Sequence, residues 1–410
     1  MDDIIASIDV GTTKICTLIA QVDARERLRI IGVGIVPSRG LRKGAIVNVE
    51  EATQAIAQSI QEAEQVAGYN ISSACVGIAG SHISSITSRG VAMLGRGDHP
   101  IVQEDINRAM EAAQTIAIPH DRQVLHAIPR GYIIDGQDGV RDPIGMIGYR
   151  LEVETHIVTA STASIKNLVN CVKAAGIQVS GLVLQPLASA ESALRPEEKQ
   201  MGVVLVDMGG GTTDIAIFME GSVWHSLVLA VGGDHITNDV AFGLRTSFDT
   251  AEELKVRYGH ALPSQVSPEE MINVSAFGDG ASKPVSRREL CHIINARAEE
   301  MVDMVSREIK RTGYDGLLAA GVVLTGGTAE LAGLPELFQE RLKMPVRVGT
   351  PRGIGGMVAK LKEPAYATAT GLLQWASKSE PAVKQRLRAV SGGGRFWAQV
   401  KEWLRLLSAR

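Results

Sequence analysis

Several kinds of chemistry are poorly provided for in this chain. Its 410 residues hold four cysteines, Cys16, Cys75, Cys171 and Cys291, scattered without metal-ligand spacing. That excludes a cysteine zinc site and a disulfide framework, and leaves core thiols in a reducing compartment. The sequence has no G-x4-G-K-[ST] loop and no HExxH. His82, His99, His120, His126 and His156 show neither helical nor ligand spacing and read as structural or surface histidines. No apolar run reaches the roughly 18 residues that a membrane-spanning helix needs. Met1, Asp2 and Asp3 do not make a positively charged n-region, so no signal peptide is expected.

What is present is ordinary in bulk. Hydrophobic residues make up 45% and charged residues 21%, enough for two or more cored domains. The net charge of −3 is spread unevenly. Residues 377–410 carry eight Lys/Arg against two Asp/Glu, and the rest carries 34 against 43. An acidic body with a basic tail points to an anionic partner for the tail, with no nucleic acid expected.

The informative stretch is VVLVDMGGGTTDIAIF, Val203 to Phe218. An apolar strand ends at Asp207, three glycines (Gly209, Gly210, Gly211) turn the chain, Thr212, Thr213 and Asp214 follow, and a second apolar strand resumes. Glycines let backbone N–H groups approach an anion, and Asp207 can hold a hydrated Mg²⁺ that a phosphate also binds. A tight glycine turn beside an acidic surface is the plainer alternative. The pattern recurs near the N-terminus as IIASIDVGTTK, with Asp9, Gly11, Thr12, Thr13 and Lys14. Two such hairpins half a chain apart predict two similar halves that grip one phosphate chain and its metal.

Other signals fall between and after them. Gln185 lies where a strand opens onto a helix and can orient an attacking water, or can be a turn glutamine. Gly232 and Gly233 start a helix suited to an anion. AEELKVRY offers Glu252 and Lys255, charges that a solvated helix would also carry. VVLTGGT puts Gly326 and Gly327 at a strand end, leaving room for a flat base or ribose. Arg287 to Arg311 reads as one long charged helix. Ala367 to Trp375 reads as another, with Gly371 able to approach a neighbour. Residues 82–160 read as an inserted module without a catalytic constellation, suited to interactions.

The end of the chain differs in kind. Residues 377–394 read as a linker with Pro381 and three successive glycines, spanning roughly 25 Å if flexible. In RFWAQVKEWLRLLSAR, at 100° per residue, Phe396, Trp397, Val400, Trp403, Leu404 and Leu407 fall within a wedge of about 120°. An aromatic face beside cations describes a helix lying in a membrane interface. Docking of this helix on the protein body is the alternative.

The ordered set of hairpin, Gln-Pro strand end, second hairpin, GGD turn and TGG turn resembles the actin, Hsp70 and sugar-kinase ATPase superfamily. Within it, SRGLRKGAIVN (38–48), IDGQDGVRDPIGM (134–146), VDMGGGTTDIA (206–216), VGGDHITNDVA (231–241), VLTGGTAELAG (323–333) and the amphipathic tail resemble the FtsA family of bacterial cell-division proteins. The resemblance covers nearly the whole chain. It implies an α/β, two-lobed actin-like fold of duplicated RNase H-like halves. Residues 1–81, 162–197 and about 365–376 would form the first core. The segment 82–161 would be an inserted subdomain, 198–242 with 310–364 the second core, and 243–309 a small subdomain.

Function and site residues follow from the same resemblance. ATP would sit on Gly11, Thr12, Thr13, Lys14, Gly209, Gly210, Gly211 and Thr212. Gly232, Gly233, Glu252, Lys255, Gly326 and Gly327 would line ribose and adenine. Asp9 and Asp207 would hold Mg²⁺ through water, and Gln185 would position the hydrolytic water. Asp214 stands where actin carries histidine, as an acid does in Hsp70-like members, which implies at most a weak ATPase. The small subdomain, with Arg287, Arg288 and Arg297, would receive the C-terminal peptide of FtsZ. The protein would self-associate, recruit later division proteins and hold FtsZ filaments on the cytoplasmic face of the inner membrane at the division site. A small-molecule kinase or phosphatase of the superfamily, or an actin-like pilus-assembly adaptor, are the alternatives.

Overall fold

The computed structural model describes residues 3–23, 27–95, 100–275, 282–356 and 359–378. Ser377 and Lys378, expected to open the linker, instead end helix Ala367–Lys378, and residues 379–394 with the amphipathic segment 395–410 lie outside the described residues.

Two sheets of one topology organise the chain. In the first, Asp3–Val10 pairs antiparallel with Lys14–Val22, which pairs antiparallel with Leu28–Pro37. On its other side Asp3–Val10 lies parallel to Ser73–Ile78, which lies parallel to Gln178–Leu184. In the second sheet, Val203–Met208 pairs antiparallel with Thr213–Met219, and that strand with Ser222–Leu229. Val203–Met208 is then parallel to Val322–Thr325, and that strand to Val346–Val348. Each sheet is a three-strand meander extended by two parallel strands on the side of its first strand, so the expected duplication is real. The short strand Ile354–Gly355 adds to the edge of the first sheet.

Burial explains the unbroken apolar runs. Val203 and Leu205 join the large core that also contains the first sheet, while Val204, Val206 and Met208 face a second core on the opposite side. A strand covered on both faces gains nothing from alternation, so VVLV is read through as a continuous run. The second core is completed by helices Gly233–Leu244, Phe248–Tyr258, Arg287–Thr312 and Leu334–Leu342.

Helix Val49–Ala67 covers the first sheet. Asn48 caps its start, and Gly68, in a left-handed conformation with φ 72°, ends it. The inserted module forms its own four-stranded antiparallel sheet. Its strand order is Ser84–Met93, Arg150–Ser161, Arg122–Ile134, Gln137–Val140, with helix Gln103–Gln114 packed on one face. Arg122–Ile134 is one continuous strand of 13 residues. The IDGQ stretch is its hairpin turn, with Asp135 and Gly136 at positive φ.

Two helices close the base between the halves. Gln185–Ala193 and Ala367–Lys378 cross at a contact so tight that a Cβ on Gly371 would lie 1.8 Å from the Ala188 carbonyl oxygen. Both are rich in Ala, Ser and Thr, and these small residues permit the approach.

A glycine-lined cleft between two matched hairpins

The two hairpins have four-residue turns closed in the same way. Gly11 N–H donates to the Lys14 carbonyl at 3.1 Å, and Gly209 N–H to the Thr212 carbonyl at 2.9 Å. Strand register then equates Asp9 with Asp207, Gly11 with Gly209, Lys14 with Thr212 and Cys16 with Asp214. The shared GTT letters are therefore offset: Thr12 and Thr13 correspond to Gly210 and Gly211, not to Thr212 and Thr213.

The turns face each other across the halves and interlock. A Cβ on Gly210 would come within 2.0 Å of Thr13 Oγ1, and one on Gly211 within 2.5 Å of Thr12 Oγ1. Gly232 packs beneath the second turn, where a Cβ would lie 2.5 Å from both the Gly209 and Gly210 carbonyl oxygens. Gly233 and Asp234 donate their N–H groups to those carbonyls at 2.9 Å. The TGG turn comes from the neighbouring strand. Gly326 has φ 83° and so little room that a Cβ would meet Asp207 Oδ1 at 2.5 Å. Thr328 Oγ1 donates to the Gly209 carbonyl at 3.0 Å. Gly327–Glu330 forms a 3-10 turn, and the next helix begins at Leu334.

These elements line a cleft of about 600 Å³. Asp9, Gly11, Thr12, Thr13, Lys14, Gln185, Asp207, Gly209, Gly210, Gly211, Thr212, Gly233, Glu252, Lys255, Gly326 and Gly327 all face it. Gly232 supports the wall from behind.

Three buried carboxylates sit at its floor. Gln185, the first residue of its helix rather than the last of the strand, donates Nε2 to Asp9 Oδ1 at 2.9 Å. Burial raises Asp9 to about 7, against the pull of Lys14 and the amide, while Asp207 pushes it further up. Burial also raises Asp207, opposed by hydroxyl donors from Ser189 at 2.5 Å and Thr368 at 3.0 Å. Asp214 is raised well above its ordinary range by burial and by Asp207. It accepts from Thr212 Oγ1 at 3.0 Å, and its Oδ1 has no partner. Ser189 and Thr368 were not singled out by sequence. The signal available was hydroxyls among small residues in QPLASAESA and ATATG, which reads equally as helix packing.

Around the rim, Lys255 Nζ bonds Thr237 Oγ1 at 2.8 Å and Glu252 at 2.7 Å, and reaches the Gly233 carbonyl at 3.3 Å. Lys14 Nζ lies 4.6 Å from the Tyr366 ring centre. The arginines proposed for peptide binding are engaged internally. Arg287 pairs with Glu270 at 2.9 Å and edges the cleft, Arg288 donates to the Val266 carbonyl, and Arg297 pairs with Asp239 and Glu300.

The arrangement fits a Mg–nucleotide. Side-chain-free turns present N–H groups where phosphates would lie. Burial pushes the carboxyls of Asp9 and Asp207 up although Lys14 pulls both down, and Asp214 Oδ1 is unpartnered. No group of three His, Cys, Asp or Glu among the described residues could coordinate a metal unaided. A cation here would complete its shell with water and phosphate oxygens.

Two sheets of one topology, each presenting a phosphate-type hairpin to a shared cleft, define an actin-like protein. Solved structures agree. The fold resembles the PilM–PilN type IV pilus biogenesis complex (TM-score 0.68, 15% identity, 92% of this chain and 99% of that one). It also resembles MreB5 of Spiroplasma citri bound to ADP (0.56, 15%, 92% and 97%) and the MamK double helical filament (0.55, 13%, 92% and 99%). Residues 204–371 match the family model of cell division protein FtsA, and residues 80–159 match the SHS2 domain inserted in FtsA. Cell division protein FtsA of Pseudomonas aeruginosa is 44% identical over 90% of this chain and 88% of its own length. Those of Neisseria meningitidis and Escherichia coli are 40% and 34% identical, each over 98% of this chain and 97% of their own length. The chain belongs to the FtsA family of cell-division proteins. That membership sets aside the small-molecule kinase and pilus-assembly alternatives, since the likeness to PilM is one of fold.

Proposed function

We propose that the cleft binds ATP with Mg²⁺ and that the protein is a nucleotide-set tether joining FtsZ filaments to the inner membrane at the division site. The observation that carries the first part is the face-to-face pairing of two identically closed hairpins over buried Asp9 and Asp207. The turns of both halves would hold the phosphates, and Asp9 and Asp207 the hydrated metal. Glu252, Lys255, Gly326 and Gly327 would border ribose and adenine. Gln185, within reach of Asp9, would orient a water. Binding pulls the halves together, and the closed form favours actin-like self-association.

FtsA membership supports the rest: binding of the FtsZ C-terminal peptide on the subdomain around 243–309, recruitment of later division proteins, and attachment through the amphipathic tail to an anionic membrane surface. No helix of the described residues is long and apolar enough to cross a membrane. Co-sedimentation with anionic vesicles tests the tether. Full-length chain with ATP should carry intact FtsZ into the pellet and leave FtsZ without its C-terminal peptide in solution. Equal recovery of both would overturn the reading.

A further inference from the structure

Two lysines face the cleft, Lys14 and Lys255, and they are held differently. Lys255 is tied to Thr237, Glu252 and the Gly233 carbonyl. The Lys14 ammonium makes no hydrogen bond and no ion pair among the described residues. It lies over the Tyr366 ring instead, 4.6 Å from the centre. A π face attracts a cation without taking its N–H groups in directed hydrogen bonds, so all three donors remain for a ligand.

The ring is a fixed platform. Tyr366 is 3% exposed and ends the 3-10 turn Pro364–Tyr366. Its N–H donates to the Glu363 carbonyl at 3.1 Å, and its carbonyl accepts from Thr370 Oγ1 at 2.8 Å. The same turn is tied to the TGG strand end of the second half. There the Pro364 carbonyl accepts from the Gly326 N–H and from Thr325 Oγ1, both at 3.2 Å. A turn seated on the second half thus carries the ring that meets a lysine of the first hairpin.

The surroundings show what the ring prevents. Glu330 and Glu363 also line the cleft. Burial, then Glu363, raise Glu330, and Lys14 opposes them. Lys14 likewise opposes the rise of Asp9 and of Asp207. The ammonium therefore stands in the field of several carboxylates and closes a salt bridge with none of them. A lysine paired with Glu330 or Glu363 would have to give up that pair before it could meet a phosphate.

We propose that Tyr366 is a positioning residue for nucleotide binding: its ring holds the Lys14 ammonium at the first hairpin with its donors uncommitted, and keeps it from the carboxylates of the cleft. The inference rests on the reading of the cleft as an ATP site. Because the ring acts through Lys14, its effect must vanish when Lys14 is gone and must be confined to ligands that carry phosphates.

The test is calorimetric titration of the full chain with Mg–ATP and, in parallel, with adenosine. Tyr366→Leu should weaken Mg–ATP by about fivefold, the scale of one cation–π contact, and leave adenosine within about twofold. Tyr366→Phe, which keeps the π face, should restore the affinity for Mg–ATP. In a Lys14→Met background, Tyr366→Leu should cause no further loss. With Glu330→Gln and Glu363→Gln together, the loss from Tyr366→Leu should shrink, because the competing carboxylates are gone. Should Tyr366→Leu fail to fold, fluorinated forms of Tyr366→Phe keep the ring and drain its π face, and Mg–ATP affinity should fall stepwise with each added fluorine. A loss as large in the Lys14→Met background, a loss as large for adenosine, or a flat fluorine series overturns the proposal and leaves the ATP site standing. Absence of saturable Mg–ATP binding by the unsubstituted chain overturns the ATP reading, and this proposal with it.

Discussion

The Ser189 hydroxyl donates to Asp207 Oδ2 at 2.5 Å, across the boundary between the two halves. Ser189 belongs to helix Gln185–Ala193, at the base of the first half, and Asp207 ends the first strand of the second sheet. Thr368 Oγ1, from helix Ala367–Lys378, reaches the same oxygen and also meets Ser189 Oγ at 2.9 Å. A cleft-floor carboxylate of one half is thus seated by hydroxyls of the other. Ser189→Ala should destabilise the protein by about 1–3 kcal/mol, since a buried carboxylate loses a donor. Thr368→Val should cost a similar amount, and the double variant less than the sum, because the three groups share one network. Urea unfolding of the set measures this. Strict additivity would show that the hydroxyls act independently.

The raised carboxyls make the nucleotide-free protein sensitive to pH. Asp9 has an ordinary value of 3.8 and is raised to about 7 in the folded state. Its protonated form is favoured by folding, so stability should fall as pH rises from about 4 through 7, by at most about 1.4 kcal/mol per pH unit for one group. Asp207 and Asp214 are raised too and act with the same sign. Thermal midpoints without nucleotide should therefore be higher at pH 5.5 than at pH 8, and Asp9→Asn should flatten the slope. Mg²⁺ binding should tighten over the same interval, because the cation takes the place of a proton. A midpoint that rises steadily toward pH 8, with the Asn variant unchanged, would contradict the burial argument.

Much of this was legible from residue order. Asp-Gly-Thr-Thr repeats forecast the duplication, because a hairpin that carries phosphate needs an acid, a glycine and hydroxyls in a fixed sequence. Continuous runs such as VVLV forecast strands buried on both faces. Two kinds of feature were hidden. Register cannot be read from similar letters: backbone pairing offsets the GTT of the two turns by two places. Contacts between helices distant in sequence were also invisible. Ser189 and Thr368 are 179 residues apart, and neither carries a local mark that distinguishes a ligand-seating hydroxyl from a packing one.

Two glycine positions in the cleft separate steric causes. A Cβ on Gly210 would meet side-chain atoms, Thr13 Oγ1 at 2.0 Å and Asp234 Oδ1 at 2.7 Å, whereas one on Gly232 would meet backbone carbonyl oxygens. Side chains can turn aside and a turn backbone cannot. Gly210→Ala should weaken ATP binding, and pairing it with Thr13→Ala should recover part of the loss. Gly232→Ala should be worse, destabilising the fold by about 1–3 kcal/mol through overpacking, with no rescue from either threonine. Calorimetric ATP titration beside thermal unfolding checks both. Equal defects with equal rescue would show that the turns shift as a unit.

The lysine at the rim allows a narrower prediction. Lys255 bridges Thr237, Glu252 and the Gly233 carbonyl, so it fixes the helix start beside the hairpin as well as offering charge. Lys255→Met keeps the aliphatic stem and removes both roles. ATP affinity should drop by about tenfold, the loss of one charge-assisted contact, with little change in unfolding midpoint. Glu252→Gln should weaken ATP less, because its partner lysine stays in place. If Lys255→Met leaves affinity intact, the residue is structural and the nucleotide lies elsewhere in the cleft.

The proposed membrane attachment would rest on residues 395–410. At 100° per residue a helix of this sequence would place Phe396, Trp397, Val400, Trp403, Leu404 and Leu407 on one face, and a helix so short would gain its order on contact with an interface. One such tail would bind weakly, while a filament presenting many would bind by avidity. Truncation after residue 392 should therefore abolish co-sedimentation with anionic vesicles and leave ATP binding unchanged. Trp403→Glu alone should reduce vesicle binding by about tenfold or more, because it puts a charge where the apolar face enters the headgroup layer. The loss should be largest under conditions that hold the protein monomeric. Undiminished vesicle binding by the truncated chain would remove the tail from the mechanism and place the membrane contact on the folded body.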